Sequence, residues 1–476
     1  MTGWSFQDPD AGIQHLPVYG LPAHMLRVRH GLLRVADADQ ARLWLSLLLD
    51  GGGHLREGRE QGGLETVPVK PMRGGRRPAG QHAVNLGLSF AGLQALGLPD
   101  DWAAALRQRA PAFAAGAVQR AAARLGDTGD SAAWRWEASF QADQAHLALS
   151  LHARTAAQID AQWQALRTLP GAGGLHGWDA VHDGRHLVGP HGTRLVHFGY
   201  VDGIANPRFD GVHLRSQADG SPALHAPGEL LLGHANNDGA NPWQFGELPA
   251  ATTFFRDASF GVLRKIAQDE AGFRAYVDQA AASLGQSGDW VLAKLCGRWP
   301  DGRLMRPAEA KADAQRDAPG FDAFNFQDED ARGSGCPFGA HIRRLNPRAD
   351  PLVQPQRRPL VRRGMAYGPR YAARTAAAER GLLGLFFCAS LEDQFEHLLG
   401  AWADRNPMGP DHRGTSKDPL IGQHDDPQAW FEIPGAPGQP TRRLRAPPRP
   451  FTTTRGTAYL LYLSAPALRR LAAGLG

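Results

Sequence analysis

Cysteine is almost missing from this chain: Cys296, Cys336 and Cys388 are the only three in 476 residues. They are too few and too scattered for a disulfide framework or a zinc site, so a reducing compartment fits. No apolar run reaches the roughly 20 residues that a membrane-spanning helix needs. The opening stretch, Met1-Thr2-Gly3-Trp4-Ser5-Phe6-Gln7-Asp8, has no basic start and no apolar segment. No secretory signal is therefore expected, and the sequence reads as cytoplasmic. An excess of one charge is also lacking, since 52 Lys and Arg stand against 47 Asp and Glu, a net of +5. The basic pairs Arg357-Arg358, Arg362-Arg363 and Arg442-Arg443 are short and lack interleaved aromatics, which argues against nucleic acid as a partner. No Gly-rich phosphate loop follows any predicted strand, which argues against a dinucleotide-binding fold.

What is present is a globular composition, 42% hydrophobic and 21% charged, on a chain long enough for a substantial core. Strand and helix patterns alternate. Met25 to Val35 reads as a strand, and Asp37 caps a helix carrying Leu43, Trp44, Leu47 and Leu48. Val84 to Phe90 and His146 to His152 alternate as half-buried strands, the second followed by a helix from Thr155 that stops at Pro170. The same grammar returns later. A strand from Phe260 to Ile266 precedes a helix from Asp269 to Leu284. An apolar run from Leu382 to Cys388 precedes a helix from Leu391 to Trp402, and a last strand spans Thr457 to Leu463. The expected fold is α+β, with two ferredoxin-like halves over residues 1–215 and 216–476. Each half is a βαββαβ-type unit with an antiparallel sheet and peripheral helices.

Two long stretches, 171–255 and 299–382, are rich in Gly, Pro, Asn, Asp and Arg. Segments of that kind in a compact domain are usually functional or disordered. In Phe198-Gly199-Tyr200-Val201-Asp202-Gly203-Ile204, Asp202 sits where an apolar element ends, and reads either as a turn cap or as a working carboxylate. In Cys336-Pro337-Phe338-Gly339-Ala340-His341-Ile342-Arg343-Arg344-Leu345-Asn346-Pro347-Arg348, small residues before His341 leave room for a large flat group against its ring. The arginines that follow would suit the carboxylates of such a group, or would simply be solvated. Arg362 and Arg363 leave an apolar stretch just before Gly364-Met365-Ala366-Tyr367-Gly368, where snorkelling cations are the plain reading. Leu391-Glu392-Asp393-Gln394-Phe395-Glu396-His397 is an acidic helix start.

In combination and order, these segments resemble the dye-decolorising peroxidases, a family of haem enzymes. Gly199 to Gly203 matches the family's GxxDG motif, Gly339 to Arg348 its proximal-histidine segment, and Arg362 its distal arginine. Ala83–Gly97, Pro227–Gly233, Cys296–Pro300, Gly381–Trp402 and Asp418-Pro419-Leu420-Ile421-Gly422 extend the resemblance over most of the chain. It implies one haem b per chain held by His341, with Gly203 beside it and Arg344 and Arg348 paired to its propionates. It also implies a carboxylate behind His341, either Glu396 or Glu392, with Glu396 preferred. Asp202 would move the peroxide proton and Arg362 would stabilise the developing charge. The implied partners are hydrogen peroxide and organic reducing substrates such as dyes and phenolics. The alternative is a haem- or iron-handling protein with incidental peroxidase activity. With a carboxylate of ordinary pKa about 3.9 as the base, dye oxidation is expected to favour mildly acidic pH.

Overall fold

The computed structural model describes residues 12–21, 24–50, 82–142, 144–211, 224–307, 324–348, 358–372, 375–405, 417–426 and 428–475. The first group of strands is β1 (Arg27–Val35), β2 (His82–Leu88), β3 (Leu147–Ala153), β4 (Leu175–His176) and β5 (Val181–Arg185). A small ribbon of β6 (Leu187–Val188) and β7 (Arg194–Leu195) follows. The second group is β8 (Ser259–Gln268), β9 (Val361–Arg362), β10 (Met365–Tyr367) and β11 (Gly381–Cys388). A hairpin of β12 (Trp430–Ile433) and β13 (Arg442–Arg445) then precedes β14 (Thr452–Tyr462).

Along the main sheet the order is β10-β11-β8-β14-β2-β3-β1-β4, with β5 also on β1 and β9 on β11. Taking β9 with β10 as one interrupted strand along β11, β4 with β5 as another along β1, and β14 as the last strand of the second group, this is second-third-first-fourth, repeated once in the same direction. Two ferredoxin-like units therefore stand head to tail, and their strand pairings among the described residues are all antiparallel. The junction is narrow, with β14 meeting β2 at Leu461 opposite Leu88. The outer edges also approach one another: a Cβ on Gly184 of β5 would lie 3.2 Å from Leu383 and 3.3 Å from the Ala366 carbonyl. The sheet thus curls towards a barrel.

Local chemistry accounts for the elements. Asp37 accepts the Gln40 N–H to start the helix Ala38–Leu49, whose Trp44 is fully buried and donates to the Leu166 carbonyl. Thr155 and Gln158 form a capping box at the helix Ala156–Arg167. Asp269 and Ser390 cap the helices Glu270–Leu284 and Leu391–Ala403, the latter wound with π-type geometry. Every residue of β2 and β3 is buried, because helices cover one face while the interior of the curled sheet takes the other. Gly31 in β1 is required because a Cβ there would strike the Trp163 ring.

Some elements were not expected from the pattern. The helices Asp100–Arg109 and Pro111–Leu125 are alanine-rich, so their apolar stripes are faint; the second is interrupted at Gly116 and ends on left-handed Gly126. The helix Gly288–Cys296 and the β12–β13 hairpin were also missed. Between the two units, Arg264 of β8 makes a fully buried ion pair with Asp127. Its Nη1 and Nη2 lie 2.7 and 2.6 Å from the carboxylate, and both also donate to threonines of β14.

Candidate active site

His341 opens a short helix, His341–Leu345, directly after Gly339-Ala340. The segment before it is held by a buried polar knot. Asp330 accepts the N–H of Cys336 at 2.6 Å and of Gly335 at 3.2 Å. Arg343, wholly buried, lies between the rings of Phe326 and Phe338, 4.5 and 4.3 Å from their centroids. It donates to the carbonyls of Asp330 and Cys336.

The His341 ring is oriented by Asp418. Nδ1 lies 2.9 Å from Oδ2 of that carboxylate, which has no solvent exposure. The other oxygen accepts the N–H groups of Leu420 at 2.9 Å and Ile421 at 3.1 Å. Burial alone would raise the Asp418 carboxyl; His341, Arg344 and the Leu420 N–H outweigh it and hold the carboxyl below its ordinary value. A carboxylate in this state only accepts, so Nδ1 carries the proton and Nε2 presents its lone pair. Among the described residues Nε2 has no hydrogen-bond partner, and the side chain keeps 27% exposure. This is the donor arrangement of a histidine ready to bind a metal.

The expectation of Glu396 or Glu392 behind His341 is therefore corrected. Glu396 is turned to Arg120, with Nε 2.6 Å away, and it accepts the Tyr459 hydroxyl at 2.9 Å. Glu392 accepts the Ala112 N–H at 2.6 Å. Both residues face the alanine-rich helix rather than His341. Arg344 also departs from expectation. It is 1% exposed, and its N–H groups go to the carbonyls of Gly339, Trp402 and Arg405, tying the His341 helix to the end of the helix Leu391–Ala403. Burial pushes its guanidinium down to about 10, which suits an internal tie more than a ligand contact. Arg348 is half-buried, with its guanidinium 4.2 Å from the centroid of the Phe324 ring.

Asp202 lies on the loop between the two units and is exposed. The loop is pinned at both shoulders: the Asp202 N–H donates to Arg194 O at 2.8 Å, and the Val201 N–H to Pro300 O at 2.9 Å. Gly199 and Gly203 both adopt left-handed φ, at 92° and 76°, which a side chain would strain. A Cβ on either would enter open space, so the loop turns sharply without closing off its surroundings. Arg362 is brought to the same loop. Its backbone N–H donates to Asn206 Oδ1 at 2.9 Å, and its guanidinium donates to the Ala205 carbonyl.

One turn connects these pieces with His341. A Cβ at Gly297 would lie 2.5 Å from Ile342 and 2.7 Å from the Cys336 sulfur, while one at Gly302 would lie 2.7 Å from Ile204. Residues 297–302 thus separate the His341 segment from the Asp202 loop and touch both. The buried Cys296 thiol registers the two carboxylates as well. It is pushed up to about 12 chiefly by burial, with Asp418 and Asp202 adding to the effect. An open histidine nitrogen backed by a carboxylate, with an exposed carboxylate and an exposed guanidinium sharing a second loop, is a donor set that suits a haem. Asn206, Asp418 and the Gly297–Gly302 turn were not assigned roles from sequence. Only Asp418 carried a signal, as an Asp-Pro-Leu-Ile-Gly turn whose free N–H groups call for a side-chain acceptor.

Residues 72–174 match the family model of the DyP dimeric alpha+beta barrel domain. A dye-decolorizing peroxidase of Exidia glandulosa is 30% identical over 400 residues, covering 79% of this chain and 73% of its own length. Dye-decolorizing peroxidase msp1 of Mycetinis scorodonius is 29% identical over 368 residues, 71% of this chain. The match spans 65% of that relative, a little under two thirds. A solved dye-decolorizing peroxidase in complex with 2,6-dimethoxyphenol shares the fold, with a TM-score of 0.74 at 23% identity over 98% of this chain and 99% of its own.

Proposed function

Because the chain belongs to the dye-decolorising peroxidase family, we propose that it is a haem peroxidase that reduces hydrogen peroxide and oxidises organic donors. The observation that carries this reading is the His341–Asp418 pair, which leaves Nε2 of a half-exposed histidine open. Haem b, when bound, supplies the iron at which peroxide is reduced and the oxidising equivalents passed to the donor.

The protein's own residues do the rest. His341 Nε2 holds the cofactor, and Asp418 accepts from Nδ1–H, fixing the ring and strengthening its donation. Asp202 takes a proton from one peroxide oxygen and returns it to the other, so that water leaves. Arg362 stabilises the negative charge that grows on the departing oxygen, its guanidinium steadied by the Ala205 carbonyl. Gly203, beside which a Cβ would meet open space, and Arg348 are the further residues that would hold the cofactor, Arg348 through a propionate. Phenols of the kind bound by the structural relative, such as 2,6-dimethoxyphenol, are the proposed donors. In this reading the two halves divide at residues 1–215 and 216–476. A cytoplasmic location is proposed with it, on the ground that Cys296, Cys336 and Cys388 are all free and buried. No described helix is long and apolar enough to cross a membrane.

The test begins with the absorption spectrum of the haem-reconstituted protein. A Soret band that is lost in His341→Ala, together with peroxide-dependent oxidation of 2,6-dimethoxyphenol that is lost in Asp202→Asn, is the expected result. Failure to take up haem would overturn the reading.

A further inference from the structure

Away from His341, a cavity of about 670 Å³ lies between the helix Gly288–Cys296, the turn after it and the β12–β13 hairpin. That volume suits a small aromatic molecule. Among the described residues, two indoles line it, Trp290 and Trp299, with four cations, Lys294, Arg303, Arg306 and Arg442, and no carboxylate residue. Asp202, Arg362 and His341 lie outside its lining as well, so this is a separate place.

The four cations are not equivalent. Arg303 has its own counter-charge, with Nε 2.7 Å from Asp301, and Arg306 pairs with Glu329. Lys294 and Arg442 have no ion pair among the described residues. Lys294 is 3% exposed and donates to the carbonyls of Ser334 at 2.7 Å and Gly335 at 2.6 Å. An ammonium has three N–H groups, and the third finds no acceptor among the described residues. Burial pushes this ammonium down to about 8. Both of these cations flank one ring, with Lys294 Nζ 5.2 Å and Arg442 Cζ 6.0 Å from the Trp290 centroid, and the carboxylate that Lys294 feels is Asp330 of the buried knot, outside the cavity lining. A cavity whose described lining offers aromatic faces and more cations than carboxylates suits a flat ring bearing a negative group.

We propose that this cavity binds a small aromatic anion, its ring against Trp290 and Trp299 and its sulfonate or carboxylate between Lys294 and Arg442. The site backs onto the Asp202 loop. Tyr200 donates to the Leu292 carbonyl at 2.9 Å on the helix that carries Trp290, and the Pro300 carbonyl beside Trp299 receives the Val201 N–H at 2.9 Å. An anion held here is therefore stored one layer behind the proposed peroxide site. Its binding does not depend on the peroxidase reading.

Calorimetric titration of the haem-loaded protein with 2-naphthalenesulfonate tests this directly. One site per chain is expected, insensitive to cyanide on the iron and weakened by added salt. Arg442→Gln and Trp290→Leu should each weaken binding by about tenfold, the scale of one charge-assisted contact. Arg442 is exposed and Trp290 half-buried, so an unchanged Soret band verifies that each variant is folded. Absence of saturable binding overturns the proposal. So does unchanged affinity in both variants, or equal affinity for the neutral 2-naphthalenemethanol.

Discussion

Nδ1 of His341 and Oδ2 of Asp418 lie 2.9 Å apart, and the carboxylate is completely enclosed. The two residues are far apart in sequence, and one short contact fixes which histidine nitrogen faces outwards. Asp418→Asn keeps the shape but removes the charge. Losses of this kind typically cost about 10- to 100-fold in metal affinity or activity. The expected outcome is a haem protein with a raised iron reduction potential and dye oxidation lowered on that scale. Glu396→Gln should leave the potential where it was, since Glu396 serves Arg120 and Tyr459. Spectroelectrochemical titration of both variants separates them, and a shift in Glu396→Gln alone would reverse the assignment.

Arg362 reaches the Asp202 loop through its backbone as well as its side chain. Arg362→Leu should lower kcat/KM for peroxide by about 10²- to 10³-fold, the usual cost of one charge-stabilising donor. Asn206→Ala removes only the acceptor for the Arg362 N–H and should cost much less. Stopped-flow rates against peroxide concentration measure both. Equal losses would mean that loop placement, not the guanidinium charge, sets the rate.

Most of the scaffold was legible in the sequence, and the reason is visible in particular residues. Asp37, Thr155, Asp269 and Ser390 begin helices with side chains that bond back to the backbone, so local chemistry alone marks them. Alternation marked β2 and β3 as strands, but the half-buried reading is corrected: small and polar residues between the large apolar ones are enclosed too, so every residue of both strands is buried. The carboxylate behind His341 was misread because helix position and motif order favoured Glu396, whereas the contact is made across the fold. Arg344 misled for a related reason: an arginine near a histidine looks available until the carbonyls of Trp402 and Arg405 are seen to consume it.

The buried pair of Arg264 and Asp127 provides a stability test. Asp127 is fully buried, and Thr454 and Thr457 complete the shell of Arg264. Asp127→Ala leaves a buried guanidinium without its counter-charge, which costs about 3–5 kcal/mol. Chemical denaturation should show that loss with little change in slope. A change below about 1 kcal/mol would mean that water replaces the carboxylate.

Acid should destabilise the protein through its buried histidines. Burial, then Lys265, lowers His182 to about 4, even though Glu137 lies 3.4 Å away. Burial likewise lowers His424 to about 4. Between the ordinary value of about 6.5 and about 4, the unfolded chain takes up protons that the folded chain refuses. Stability therefore falls as pH falls through that window, at up to about 1.4 kcal/mol per pH unit for each histidine. Asp404 opposes this, because burial raises its carboxyl to about 6, and it favours the folded state as acid is added. Thermal melts of His182→Gln should show a shallower decline from pH 6.5 to 4 than the parent; an identical slope would exclude His182 from the effect.

The place of β14 in the sheet has a consequence for synthesis. It is made after every other strand of the sheet, yet it sits between β8 and β2. While the ribosome is still translating residues 452–462, the edge of β8 that β14 will pair along its whole length is bare, and it is a template for any extended peptide nearby. A nascent chain of this protein is thus most prone to aggregate late, when nearly all of it has emerged. The final strand acts as a keystone, and assistance from chaperones is needed most in the interval just before it arrives.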